Sequence, residues 1–136
     1  KGFFLSSFQF KITYMTSIAN LHSLFLYCTS VCTDTRKIDA NSLFIALKGE
    51  NFDANTFTKE ALEKGAKYVV IDNPNFFIDD RTLLVDDSLI ALQELAKYHR
   101  TYLGLPIIAL TGSNGKTTTK ELIHAVLSKK YNTLAI

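Results

Sequence analysis

The sequence predicts an α/β fold in two parts: an α/β unit over residues 15–104, then the first strand, glycine-rich loop, helix and strand of a second α/β domain over residues 105–136. Three observations carry this reading. Apolar runs of strand length, LFIAL at Leu43 to Leu47 and YVVI at Tyr68 to Ile71, alternate with segments of helical periodicity. Gly104, Leu105 and Pro106 interrupt the pattern and mark the boundary. Beyond it, ALTGSNGKTTTKE sets two glycines, a lysine and three threonines between an apolar run and a helix-forming one.

Composition bounds the answer. A chain of 136 residues is long enough for one ordinary domain and short for two. Hydrophobic residues make up 47% and charged residues 21%, a globular balance. Fifteen Lys and Arg against thirteen Asp and Glu give a formal charge of +2, spread without clustering, so no nucleic-acid face is expected. Cys28 and Cys32 are too few for a disulfide framework and read as reduced core thiols. The opening KGFFLSSFQFKITY is interrupted by Lys11, lacks a small-residue cleavage site and falls short of the roughly 20 residues of a membrane span. Residues 1–14 are therefore expected to be an upstream leader, with Met15 as the natural start of a cytoplasmic protein that has no membrane partner.

Element by element, Ile18, Leu21, Leu24 and Phe25 share a helical face behind a cap at Thr16 or Ser17. Val31 to Thr33 reads as a short strand, and DTRKIDANS as a polar connection. Five consecutive apolar residues from Leu43 to Leu47 predict a strand buried on both faces. Phe57, Ala61 and Leu62 mark a short helix ended by Gly65, which can take the left-handed cap conformation. Strands follow at Tyr68 to Ile71 and Leu83 to Val85, with a loop opened by Asn73 and Pro74 between them. Asp87 or Ser88 caps the next helix, whose expected buried stripe is Leu89, Leu92, Leu95, Ala96 and His99. After the boundary come a strand at Ile107 to Leu110, a helix containing Glu121, Leu122, Ala125, Val126 and Leu127, and a second strand at Asn132 to Ile136. One helix between two strands cannot bury a sheet on both faces, so the second domain is read as only begun.

A strand, a glycine loop, then Lys and Thr at a helix N-terminus is an arrangement that binds nucleotide phosphates. The amides of the loop, from Gly112 through Ser113, Asn114 and Gly115, and those of Lys116, Thr117 and Thr118 would face the anion. Lys116 would add a point charge on the β- and γ-phosphates, and the Thr117 hydroxyl a hard oxygen ligand for Mg²⁺. The longer GxxxxGK[ST] pattern does not fit, because Leu110 occupies the position of its first glycine; what stands is GxxGKT from Gly112 to Thr117.

TGSNGKTTTKE resembles the ATP loop of the Mur ligase family, which also includes the folylpolyglutamate synthases. Upstream, TDTRKIDANSLFIALKGENFD, FTKEALEKGAKYVVID and ALQELAKYHR are similar, in the same order, to the family's N-terminal substrate-binding domain. The resemblance runs from Met15 to Ile136. It implies that residues 15–104 bind a UDP-linked precursor and that residues 105–136 begin the central ATP-binding domain of a P-loop ATPase. It implies an enzyme that uses ATP and Mg²⁺ to phosphorylate a substrate carboxylate, whose acyl phosphate is then attacked by an amine. Ser113, the TTTKE continuation and ALQELAKYHR lean toward the member that adds D-alanyl-D-alanine to UDP-N-acetylmuramoyl-tripeptide in peptidoglycan synthesis. The alternative within the family is the sister ligase that adds the third amino acid.

Position by position, the resemblance assigns Lys116 to catalysis and Thr117 to the metal, with Thr33, Thr35, Glu50, Asn51 and Phe52 lining the uridine site. Asp34 and Arg36 are read as a pair that shapes the turn. Where the family often carries Asp, Gly and His, this chain has Asp53, Ala54 and Asn55, which implies a different local turn. His22, His99 and His124 read as helix-face or solvent residues, and Asp79, Asp80, Asp86 and Asp87 as turn and cap residues. The fragment is expected to be a monomer and not to ligate alone. A stand-alone UDP-sugar-binding module and a small P-loop kinase are the readings from other classes.

Overall fold

The structure, a computed structural model, describes residues 15–136; the leader expected at residues 1–14 lies outside the described residues. The chain divides into two compact units, one ending at Gly104 and one running from Leu105 to Ile136.

In the first unit, helix α1 (Ile18–Phe25) leads to strand β1 (Val31–Cys32), and a 3-10 turn over Thr35–Lys37 leads to β2 (Leu43–Ile45). A two-stranded hairpin, β3 (Lys48–Gly49) and β4 (Phe52–Asp53), then interrupts the crossover. It is followed by a 3-10 turn over Ala54–Phe57, helix α2 (Thr58–Glu63), β5 (Tyr68–Ile71), β6 (Thr82–Leu84) and helix α3 (Ser88–Leu103). The main sheet has the order β1-β2-β5-β6, and every neighbouring pair is parallel.

Alternation along the strands divides the core between the two faces. Phe44, Val69, Ile71 and Leu84 pack with Ala54, Ala61, Leu62 and Ala66 on the side of α2. Leu43, Ile45, Val70 and Leu83 pack with Leu21 of α1 and with Ala91 and Leu95 of α3 on the other. All three residues of β2 are fully buried, as an unbroken apolar run in a parallel sheet requires. Each large side chain buried this way contributes about 1.5–3 kcal/mol.

Helix ends follow the chemistry read from the sequence. Ser17 caps α1 by accepting from the Asn20 amide at 3.3 Å, and Asp87 caps α3 by accepting from the Ile90 amide at 2.8 Å. Gly104 ends α3 in the left-handed conformation at φ 59°. Gly65, at φ 108°, ends α2: its amide bonds the Leu62 carbonyl at 3.2 Å, and the next amide, of Ala66, bonds Ala61 at 3.0 Å.

Several expectations are corrected. On α3 the stripe is Ser88, Ala91 and Leu95, with Leu92 and His99 half-buried, while Leu89 and Ala96 are exposed. Leu95 is buried as expected, and the rest of the buried stripe is Ser88 and Ala91 in place of Leu89 and Ala96. The strand expected over Leu43 to Leu47 ends at Ile45, ahead of the hairpin that begins at Lys48, and the strand expected at Leu83 to Val85 runs over Thr82–Leu84. In the second unit only a helix forms, α4 (Lys116–Leu127); 107–110 and 132–136 are not strands. A strand exists only through a paired neighbour, and among residues 105–136 there is none.

One polar knot ties the first unit together. Asp72, next after β5, accepts from Lys48 Nζ at 2.7 Å and from Asn55 Nδ2 at 2.8 Å on one oxygen, and from the Ser88 amide at 3.3 Å on the other. Burial pushes the Asp72 carboxyl up, but these hydrogen bonds outweigh it and hold the group below its ordinary range. Lys48 is correspondingly raised by its bond to Asp72.

A carboxyl with a depressed native pKa stabilises the fold above its unfolded value of about 3.9 and loses that contribution as pH falls through the native value. Urea unfolding across the acid range should therefore show stability falling below about pH 4, with a shallower fall in Asp72→Asn; identical acid limbs would exclude the knot as the cause. Gly65→Ala should lower stability by about 1–2 kcal/mol, seen as an earlier urea midpoint. The added Cβ would meet Ala40 Cα only at ordinary contact distance, 3.6 Å, so that cost is purely conformational.

Candidate nucleotide and precursor sites

Because all four strands of the main sheet are parallel, their C-terminal ends share one edge, where ligands bind in open α/β sheets. After β1 comes the turn carrying Thr33 and Thr35; after β2 comes the hairpin carrying Glu50, Asn51 and Phe52; after β5 comes Asp72.

The turn after β1 is held from several directions. Cys32 Sγ donates to the Asp34 carbonyl at 2.9 Å, and Lys64 Nζ to the Thr35 carbonyl at 3.0 Å. Asp34 accepts the Arg36 amide at 2.9 Å and takes the guanidinium as a fork, with Nη2 at 2.8 Å. The Arg36 side chain bonded to Asp34 holds its carboxyl down to about 2. This is the turn-shaping pair read from the sequence. Thr33 is exposed and Thr35 half-buried.

Glu50 and Asn51 form the exposed hairpin tip. Phe52 is 54% exposed, its ring stacked on Phe57 at 5.6 Å. An aromatic face backed by a second ring and open on its other side is suited to a flat base. The structure thus puts the five residues on the turn and hairpin at one sheet edge, while two cavities among the described residues lie elsewhere. One, of about 540 Å³, is lined by Met15, Asn20, Leu24, Phe77 and Leu83 among others; the other, of about 410 Å³, lies along α3 at Glu94, Tyr98 and Tyr102.

Lys48 and Asp72 at this edge escaped the sequence reading, which marked Asn55 only as part of an altered turn. The Asn55 amide group donates to Asp53 Oδ1 at 2.6 Å and to Asp72 at 2.8 Å, while its oxygen accepts the Asp72 amide at 3.1 Å. Ala54 opens its 3-10 turn without a positive φ, so the altered Asp-Ala-Asn segment needs no glycine. A carboxylate placed just beyond a fully buried strand was the available signal, since such a group must find partners.

His22 and His99, expected as helix-face or solvent residues, meet across α1 and α3 with Nε2 and Nδ1 3.1 Å apart, among Phe25, Tyr98 and Tyr102. This is packing: among the described residues no group of three His, Cys, Asp or Glu could hold a metal. His124 bonds Thr133 Oγ1 at 3.0 Å. Cys28 and Cys32 are free thiols. Asp79 pairs with Arg81 at 2.7 Å, and Asp87 is a cap, as turn and cap residues should be.

In the second unit the loop from Gly112 to Gly115 opens α4. Gly112 has φ 149° and Gly115 φ 78°, conformations that a side chain would strain. Gly115 is the N-cap and supplies no side chain, so the amides of Lys116, Thr117 and Thr118 have no acceptor from a cap or an earlier turn. The first turn holds no acidic residue. Lys116 folds back so that its Nζ donates to the Gly112 carbonyl. Ser113, Asn114, Thr117 and Thr118 are exposed. Orphan amides at the positive end of a twelve-residue helix, an ammonium group across the loop and a neighbouring alcohol can receive a polyphosphate with its cation.

No helix among the described residues is long and apolar enough to cross a membrane.

Known proteins share this layout. The description "Mur ligase family, catalytic domain" matches residues 28–100, and "Mur ligase middle domain" matches residues 110–136. The UDP-N-acetylmuramoyl-tripeptide--D-alanyl-D-alanine ligase of Bacillus subtilis is 52% identical over 103 residues, covering 74% of this chain and 22% of that protein. A crystal structure of MurF from Acinetobacter baumannii superposes with a TM-score of 0.63 at 38% identity, over 79% of this chain and 23% of that one. MurF ligase from Thermotoga maritima, solved in complex with ADP, gives 0.63 at 31% identity, over 78% and 24%. The chain spans about a quarter of the length of the curated relatives it matches. With one family description covering more than half of its residues and the other covering the glycine loop, the chain belongs to the Mur ligase family.

Proposed function

We propose that this chain is the precursor-binding domain and phosphate loop of an ATP-dependent ligase that joins D-alanyl-D-alanine to UDP-N-acetylmuramoyl-tripeptide. The observation that carries the reading is the uncapped α4 N-terminus behind two positive-φ glycines, in a chain whose relatives bear that activity in their names. Residues 15–104 form the domain for the UDP end, and residues 105–136 begin the domain for ATP. The donor set fits Mg-ATP: unpartnered amides for phosphate oxygens, Lys116 for charge and the Thr117 hydroxyl for the cation. When bound, Mg²⁺ neutralises charge on the phosphate oxygens.

In the first step a precursor carboxylate oxygen bonds the γ-phosphorus, the bond to the β,γ-bridging oxygen breaks, and ADP carries away the electron pair. In the second the amine of D-alanyl-D-alanine attacks the acyl carbon, loses a proton and expels inorganic phosphate. Phosphoryl transfer of this kind depends on positioning and charge neutralisation. Lys116 neutralises charge that grows on the phosphate oxygens, and the loop amides fix their direction. Thr33, Thr35, Glu50, Asn51 and Phe52 hold uridine by hydroxyls, an amide, a carboxylate and a ring face. The location is the cytoplasm and the working form a monomer.

In the full-length gene product, ATP hydrolysis should require both UDP-N-acetylmuramoyl-tripeptide and D-alanyl-D-alanine. Dependence on a single amino acid in place of the dipeptide would reassign it to the sister ligase, and no dependence on the precursor would remove the ligase reading. Lys116→Ala should lower kcat by about 100-fold or more. Gly115→Ala, forced into φ 78°, should weaken Mg-ADP binding measured by calorimetry by about tenfold, in keeping with a strain of about 1–2 kcal/mol.

A further inference from the structure

Lys48 and Asp53 stand directly opposite each other at the base of the β3–β4 hairpin, and both are tied to one place. Lys48 reaches Asp72 directly, and Asp53 reaches it through Asn55, which bonds both carboxylates. Asp72 itself belongs to the end of β5, with a side chain only 8% exposed, and its second oxygen takes the first amide of α3. The hairpin is two residues deep on each strand, so its own ladder cannot fix its direction. Its other ties are local: the Ala54 amide bonds the Leu47 carbonyl at 3.0 Å, the Asn55 amide and the Thr56 hydroxyl bond Asp53 at 2.9 and 2.8 Å, and Phe52 stacks on Phe57. One carboxylate outside the hairpin thus anchors both of its legs to the central sheet.

We infer that Asp72, acting through Lys48 and Asn55, is a positioning residue for the precursor site: it sets where Glu50, Asn51 and Phe52 stand for the nucleotide end. The inference rests on the reading of the hairpin as part of the uridine site. Its logic is that of donor count. Asp72 receives three N–H donors on two oxygens, and an asparagine there must turn an NH₂ group toward one set of them. Either the hairpin legs or the α3 N-terminus then loses its acceptor, and the tip shifts. The three donors on Asp72 come from Lys48, Asn55 and Ser88, all within the first unit.

Steady-state kinetics of the full-length protein test this. Asp72→Asn should raise KM for UDP-N-acetylmuramoyl-tripeptide by about tenfold or more, with kcat and KM for ATP within about twofold of the unsubstituted enzyme. Lys48→Met, which alters only the half-exposed end of the pair, should raise the same KM, and the double variant should fall short of the product of the two effects. Should Asp72→Asn fail to fold, the Lys48→Met shift alone decides. An unchanged precursor KM, fully multiplicative effects, or a parallel loss in kcat and ATP KM would overturn the inference. An unsubstituted enzyme that the precursor does not saturate would instead overturn the site assignment beneath it.

Discussion

The parallel pairing of the main sheet is the constraint from which the first unit follows. Parallel strands need crossovers and helical cover, so both faces are dry, and the strands become uninterrupted apolar runs. It also sends every chain exit from the sheet to one edge. Polar groups excluded from the strands collect there: Asp34 and Arg36 after β1, Lys48 and Asp53 after β2, Asp72 after β5 and Asp87 after β6. A site at that edge follows from the topology as much as from the residues that occupy it.

Such an edge has an energetic problem, because carboxylates next to a dry core lose hydration. Asp72 shows how it is solved: desolvation is the largest single influence on its proton affinity, yet three donors together reverse it. An ion pair with one desolvated and one half-exposed partner contributes little net stability. What it contributes is direction, since three donors meet only when hairpin, strand and helix are in one arrangement. The Asp34 and Arg36 fork is solvent-exposed and weaker in energy, but does the same for the neighbouring turn.

The sequence made the sheet legible because burial on both faces leaves an unambiguous signature at Leu43 to Ile45 and at Tyr68 to Ile71. Caps at Ser17 and Asp87 and stops at Gly65 and Gly104 were equally readable, being settled within a few residues of chain. What could not be read depends on distant partners. Lys48, Asn55 and Asp72 meet across separations of up to 24 residues, and His22 meets His99 77 residues away; no local pattern encodes either. On α3 Leu95 was read correctly, but apolar periodicity alone favoured Leu89 and Leu92 over their neighbours Ser88 and Ala91, which are the buried ones. The strands expected at 107–110 and 132–136 failed for a related reason: their apolar character is local, but pairing is not.

The glycine loop separates these two kinds of information most clearly. No residue from 105 to 136 is buried, yet the loop has a definite shape: Gly112 and Gly115 take positive φ, and the Thr119 amide bonds the Gly115 carbonyl at 3.0 Å. The two positive-φ glycines and this first helical bond define the turn locally. For the proposed phosphate site, such a turn is preorganised, because the amides that a cap would otherwise bond are left open. That is why GxxGKT could be interpreted from six residues, whereas the hairpin that complements it in the proposed enzyme needed the whole sheet to be understood.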